Sequence, residues 1–217
     1  MTRPAPAAAS RDDLTLELAA TAARLIAEDG CDYATAKRKA AQLVCGDGAV
    51  RGRLLPDNDL IESELRRYLR TFGGAEHASL LDRFRRQALA LMEYLAQFNP
   101  HLVGAVLNGT ATEHSTLRLQ LFTESAKDVE IFLLNDGIRF SVAEPNEAEG
   151  GLETIHLRLP PRLAPGGSSV DAVLSVLPTD ALRVAARYRS TDPELSPIER
   201  AGRAGLTALR ALLTAAP

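Results

Sequence analysis

The 217-residue chain contains only two cysteines, Cys31 and Cys45. If residues 33–45 form a helix, the two lie at opposite ends of it, roughly 20 Å apart at ~1.5 Å rise per residue. A disulfide needs Cα atoms within about 7 Å, so the two thiols are read as reduced and structural. Two lone cysteines make no zinc site, and His77, His101, His114 and His156 show no ligand spacing. No Gly-Lys-Ser or Gly-Lys-Thr occurs, so the phosphate loop of an ATP-dependent ligase is absent. No run approaches the ~18 apolar residues of a membrane span. The opening "MTRPAPAAASRDD" has no continuous apolar segment of the secretory type. Neither sign of charge dominates, with 25 Lys and Arg against 28 Asp and Glu for a net −3, so no global field draws the chain to nucleic acid or an anionic membrane. These absences predict a soluble, cytoplasmic protein with no membrane partner.

What is present is ordinary globular composition, 46% hydrophobic and 24% charged, enough for one large domain or two small ones. The Pro/Ala-rich residues 1–11 predict a mobile tail. Residues 12–98 read as helical throughout. Leu14, Leu18, Ala22, Leu25 and Ile26 form one stripe, and Tyr33, Ala36, Ala40, Leu43 and Val44 a shorter one ending at Gly46. After a turn-rich loop, Asp59 precedes Glu62 by three, the spacing of a capping box. The helix it would open places Leu60, Ile61, Leu65, Tyr68, Leu69 and Phe72 inward and ends at Gly73-Gly74. A fourth helix runs from Leu80 to Phe98.

After Pro100 the period changes. "LRLQLF" (117–122), "IRFSV" (138–142) and "TIHLRL" (154–159) alternate as half-buried strands do, and "VDAVLSVL" (170–177) reads as a fourth strand. Residues 125–136 between them are helical, with Ala126, Val129, Phe132 and Leu133 inward. The stretch "PELSPIERAGRAGLTALRALL" reads as a closing helix weakened by Gly202 and Gly205. The expected fold is α+β, a helical N-terminal region followed by a small mixed sheet. The expected divisions are 12–98, 99–190 and a C-terminal helix within 191–217.

Chemistry concentrates in "GAVLNGTATEHSTLRLQLF" (104–122), a glycine turn feeding an alternating strand. Residues 104–119 resemble the signature of the polymerase-beta-type nucleotidyltransferase superfamily: Gly-Ser, a helical turn, Gly-Thr-Ala, then Ser-Asp-x-Asp entering a strand. Laid without a gap, Gly104 and Ala105 take the first pair and Gly109-Thr110-Ala111 the middle. Ser115-Thr116-Leu117-Arg118-Leu119 takes the acidic strand. The flanking helices and strands come in the family's order, so the resemblance covers roughly residues 80–180.

In that family the glycine admits a triphosphate close to the backbone, and two carboxylates at i and i+2 hold divalent metal for in-line transfer. Here Thr116 and Arg118 stand at the carboxylate positions, Ala105 lacks the phosphate-binding hydroxyl, and "TIHLRL", read as the strand of a third carboxylate, has none. The resemblance therefore implies a degenerate member. Its nucleotide-binding candidates are Gly104, Ala105, Asn108, Gly109, Thr110, Ser115, Thr116 and Arg118, with a nucleoside triphosphate as first candidate ligand and no catalytic or metal-binding residue assigned.

Three readings stay open. In one the fold binds nucleotide or another macromolecule without catalysis, and Arg118 takes over part of the metal's role by pairing with phosphate. In a second, Glu113, His114, Glu124 and Asp128 supply a rearranged site for magnesium. In the third Arg118 merely faces solvent and the chain is an interaction scaffold. Lys37, Arg38, Lys39, Arg51, Arg53, Arg66, Arg67 and Arg70, with Arg83, Arg85 and Arg86, also admit nucleic acid as a partner. Interspersed acids (Glu62, Glu64, Glu76, Asp82) make a solvated helix surface the plainer reading.

Overall fold

Helices begin where side chains satisfy their first free N–H groups. The computed structural model describes residues 11–46, 55–144, 151–167, 169–184, 186, 189–190 and 192–215. Residues 1–10 of the expected tail and much of the loops at 46–58 and 143–151 lie outside them, while Arg11, expected in the tail, is the first residue of a helix. Helix α1 spans Arg11–Asp29, α2 Tyr33–Cys45 and α3 Asn58–Tyr68. The Asp32 carboxylate accepts from Thr35 N–H at 2.9 Å and opens α2. Asp57, not Asp59, opens α3, accepting from Leu60 N–H at 2.8 Å. Asp57 holds the extended backbone a cap requires, whereas Asp59 already lies inside the first turn.

Compactness divides the chain into residues 1–77 and 78–217, a division inside the fourth helix, earlier than the boundary expected after Phe98. In the first unit α1 packs on α2 and α3. Small residues let the backbones approach: Ala19, Ala22, Ala36 and Ala40 are buried with Leu18 and Ile61. Both cysteines are free thiols, and Lys39 Nζ lies 3.4 Å from Cys31 Sγ. After Tyr68 the chain widens into a π-turn, Leu69–Gly73. The extra residue rotates Phe72 off the apolar stripe, so it is 72% exposed against Tyr68 at 4.7 Å rather than inward.

Helix α4 (Gly74–Tyr94) follows directly, then a 3₁₀ turn at Ala96–Phe98. From residue 78 onward its inward face joins the second unit. That unit is a six-stranded sheet among the described residues: β1 His101–Val103, β2 Leu117–Phe122, β3 Phe140–Ala143, β4 Glu153–Arg158, β5 Asp171–Leu177 and β6 Ala204–Gly205. The strand order is β3-β4-β5-β2-β1-β6. Only β2 and β5 run parallel; the other neighbours are antiparallel. Helix α5 (Ala105–Asn108) links β1 to the turn before β2, and α6 (Ala126–Asn135) follows β2. The fold is α+β.

Strands β1 and β6 lie outside the sequence reading, and the expected closing helix is three elements. A capping box of Ser196 and Glu199 starts a short helix α7, Pro197–Arg200. Gly202 then turns at φ 72°, β6 pairs with β1, and α8 (Leu206–Ala215) follows.

One sheet face makes the core. Leu117, Leu119 and Leu121 of β2, Leu174 and Val176 of β5, and Ile155 of β4 are fully buried with Leu91, Val129 and Leu209 from α4, α6 and α8. Burying each such side chain contributes about 1.5–3 kcal/mol. The alternate positions face the other way and are exposed or half-buried: Arg118, Gln120, Thr154, His156, Val173 and Ser175.

Candidate functional site

The open sheet face is built by register. Arg118 of β2 lies beside Val103 of β1 and Val173 of β5, and Val173 lies beside His156 of β4. One row along, Gln120 neighbours His101 and Ser175, and Ser175 neighbours Thr154. A shallow, open depression of about 350 Å³ lies over the β2, β5 and β4 part of these rows. Its β2 side is Thr116 and Arg118, its floor Val173 and Ser175, and its far side Thr154 and His156, with Ala143 and Glu144 at the rim.

Gly104 adjoins this depression. Its backbone (φ 73°, ψ −154°) is in a region open almost only to glycine, and a Cβ there would sit 3.6 Å from Arg118 Cδ. The Arg118 side chain thus leans over the turn. Among the described residues no carboxylate lies within ion-pair distance of it, nor of Arg83, Arg139 or Arg183, whereas Arg85, Arg86, Arg158, Arg162 and Arg210 of the same unit each have one.

The remaining candidates hold the turn rather than line the depression. Asn108 Oδ1 accepts from the Thr110 hydroxyl at 2.7 Å and from Thr110 N–H at 3.1 Å. Gly109 closes α5 in the left-handed region at φ 82°. Ser115 Oγ accepts from Thr112 N–H at 2.9 Å. Thr110 is 2% exposed, so its hydroxyl is internal. Ala105 is the first residue of α5 and half-buried. Of the eight candidates only Thr116 and Arg118 line the depression, with Gly104 alongside.

The turn is anchored from behind by a pair 114 residues apart. Arg85 of α4 donates through Nε to Val106 O at 3.1 Å and through Nη2 to Leu107 O at 3.0 Å and Glu199 Oε1 at 2.8 Å. Glu199 also accepts from the Ser196 hydroxyl at 2.7 Å and from Ser196 N–H at 3.0 Å. Burial pushes the Glu199 carboxyl up, but these donors outweigh it and leave it below the usual carboxylate range.

The rearranged set of acids does not converge. Glu113 and His114 are exposed in the turn before β2, and Glu124 and Asp128 lie beyond its other end; a six-residue strand is about 20 Å long. Glu124 instead accepts from the Thr179 hydroxyl. Among the described residues no three His, Cys, Asp or Glu side chains are grouped to hold a metal ion. The strands bonded directly to β2 are β1 and β5, so the "TIHLRL" strand, β4, is one strand further away, and the open-face positions of β5 hold Asp171, Val173 and Ser175. Asp171, at the start of β5, pairs with Arg158 at 3.4 Å.

Much of the basic charge on the helices is matched by acid. Arg66 pairs with Glu62 at 3.0 Å, Arg67 with Glu64 at 2.6 Å and Arg86 with Asp82 at 2.7 Å. Among the described residues no helix is long and apolar enough to cross a membrane.

The site residues missed by sequence reasoning are Thr154, His156, Val173, Ser175, Ala143 and Glu144. The alternation of "TIHLRL" and "VDAVLSVL" carried a signal for four of them, since it fixes which residues share a face; strand order did the rest. Compared with known proteins, the chain matches no family model and no curated sequence.

Proposed function

We propose that this chain is a non-catalytic binding module on a nucleotidyltransferase-like scaffold, with a nucleotide as first candidate ligand. The observation that carries the reading is Arg118: it lines an open depression, leans over Gly104 and has no carboxylate partner among the described residues. An unpaired guanidinium on an open polar face is suited to bidentate pairing with phosphate, where a two-metal enzyme would present carboxylates and magnesium. Thr116, Thr154 and Ser175 add hydroxyls on the same face. The transferase with rearranged ligands draws no support from Glu113, His114, Glu124 and Asp128, which lie at two ends of β2.

Thermal unfolding with each of the four ribonucleoside triphosphates, with and without magnesium, tests the reading. A ligand at a hundred times its dissociation constant adds about 2.7 kcal/mol. For a chain of this size that is a rise of about 5–10 °C in midpoint. The reading expects a rise that does not need magnesium. A rise that appears only with magnesium replaces it with the transferase alternative, and no rise with any nucleotide leaves the macromolecular scaffold.

A further inference from the structure

The sheet has two edges, and only one of them is blunted. Strand β6 is two residues long and runs straight into α8. At the other edge β3 pairs with β4 on one side and, among the described residues, with no strand on the other. Its residues Phe140, Ser141, Val142 and Ala143 include no charge and no proline. The register from Phe140↔Leu157 to Ala143↔Thr154 runs without a bulge. Edges that stay unpaired ordinarily carry one of those devices.

Apolar side chains continue past this edge on the helix-covered side of the sheet. Val142 is in register with the fully buried Ile155, yet is itself 45% exposed. Lys127, Glu130, Ile131 and Leu134 form one stripe of α6 at the i, i+3, i+4, i+7 spacing. The stripe begins over the start of β4, where Lys127 Nζ lies 3.6 Å from Glu153 Oε1. It ends at Leu134, whose carbonyl accepts from Gly137 N–H at 3.0 Å shortly before β3 begins. Ile131 and Leu134, 55% and 63% exposed, therefore lie along the β3 border of the same side.

The two ends of the edge carry opposite charges. Arg139 precedes β3 and Glu144 follows it; both are exposed, and among the described residues neither is in an ion pair. A second β3 laid antiparallel and centred on Ser141 sets each Val142 opposite the other copy's Phe140. It also brings each Arg139 alongside the other copy's Glu144. A parallel copy would set like charge against like.

We infer that β3 and the Ile131–Leu134 stripe are the interface of a two-fold homodimer. The two sheets join antiparallel through β3, and the two α6 helices meet above the seam. An isologous contact requires a self-complementary surface, and this one is so in backbone, charge and apolar stripe. A foreign strand could satisfy the backbone, but only a copy of this edge brings its own Arg139 and Glu144 to match. The contact is short, with α6 about 15 Å long, so a reversible dimer in the micromolar range is expected. The inference does not depend on what the Arg118 face binds.

The test is sedimentation velocity of the full chain from ~5 to ~200 µM, a range that spans weak association. Wild type is expected to move reversibly toward twice the chain mass as concentration rises. Under the two-fold axis every substitution acts twice. Arg139→Glu and Glu144→Arg should each weaken dimerisation about tenfold, and the double reversal should restore it to within about threefold of wild type. Ile131→Lys combined with Leu134→Lys should weaken it by about tenfold or more. All four side chains are exposed, and circular dichroism checks that each variant is folded. A chain that stays monomeric at the highest concentration overturns the inference and leaves the edge to a strand of another protein. A dimer that either the charge reversals or the α6 substitutions leave unchanged overturns it as well. A double reversal no stronger than the single ones overturns the antiparallel pairing of β3.

Discussion

Replacing Arg85 by methionine removes the three donations that hold the glycine turn from behind. The side chain is 9% exposed and its carboxylate partner Glu199 is 16% exposed. Removing one partner of a buried ion pair typically costs about 3–5 kcal/mol, because the other charge is left uncompensated. Here Glu199 keeps its two Ser196 donors, which places the loss near ~3 kcal/mol, the lower end of that range. The Val106 and Leu107 carbonyls also lose donors, and methionine keeps the apolar stem packed, so lost packing adds little. In urea titrations at pH 7 the expected destabilisation is about 3 kcal/mol, or roughly 6–12 °C in midpoint.

The pH dependence adds a signature. Glu199 has a depressed folded pKa, so its contribution is present above the unfolded value of about 4.3 and is lost as pH falls through the folded value. Arg85→Met should shrink that acid-side loss. A cost under about 1 kcal/mol, the scale of a surface pair, would refute the anchoring argument.

Other substitutions probe separate links. Gly104→Ala should cost about 1–3 kcal/mol from backbone strain alone, since the added Cβ makes only ordinary contact with Arg118; a neutral result in thermal unfolding would contradict the φ of 73°. Phe72→Ser should change stability by less than about 0.5 kcal/mol, because the ring is exposed; a loss of several kcal/mol would return Phe72 to the core. Glu153 of β4 lies against Glu130 and Lys127, and burial, then Glu130, push its carboxyl up. A raised pKa contributes stability below the unfolded value of about 4.3 that is lost as pH rises through the folded value. Glu153→Gln should therefore reduce the loss of stability as pH rises above about 4.3 in urea titrations, and an unchanged slope would count against the burial argument.

Long elements were legible because period and burial agree in them. Leu117, Leu119 and Leu121 alternate in the sequence and are fully buried in the sheet, and Ala36 and Ala40 mark the buried face of α2. Strands β1 and β6 were not legible: three residues and two residues are too short to show a period, and glycines sit beside both. Phe72 was misplaced because helical spacing assumes 3.6 residues per turn, and the π-turn breaks that count. Asp57 and Asp59 are both capping residue types, and only the backbone angle distinguishes the one that caps.

Of the residues that line the depression, only Thr116 and Arg118 were legible, for a similar reason. Thr116 and Arg118 share a face by local alternation, so the sequence could pair them. His156 and Ser175 join them only because β5 lies between β2 and β4, an order no local pattern encodes. The Arg85–Glu199 anchor, 114 residues apart, is equally non-local. Asn108, Thr110 and Ser115 have the chemistry of ligand contacts, but their polar groups make short-range bonds within the turn.

The central claim, that Arg118 receives phosphate on the open sheet face, is tested most directly by following its side chain. Proton–nitrogen spectra of the arginine Nε–H groups, with Arg118 assigned by comparison with Arg118→Lys, would be recorded during a titration with a magnesium-free nucleoside triphosphate. The account predicts a saturable shift of the Arg118 Nε–H together with the backbone amides of Thr116 and Ser175. Saturable shifts confined to other residues, or an Arg118 signal unmoved by all four nucleotides, would contradict it.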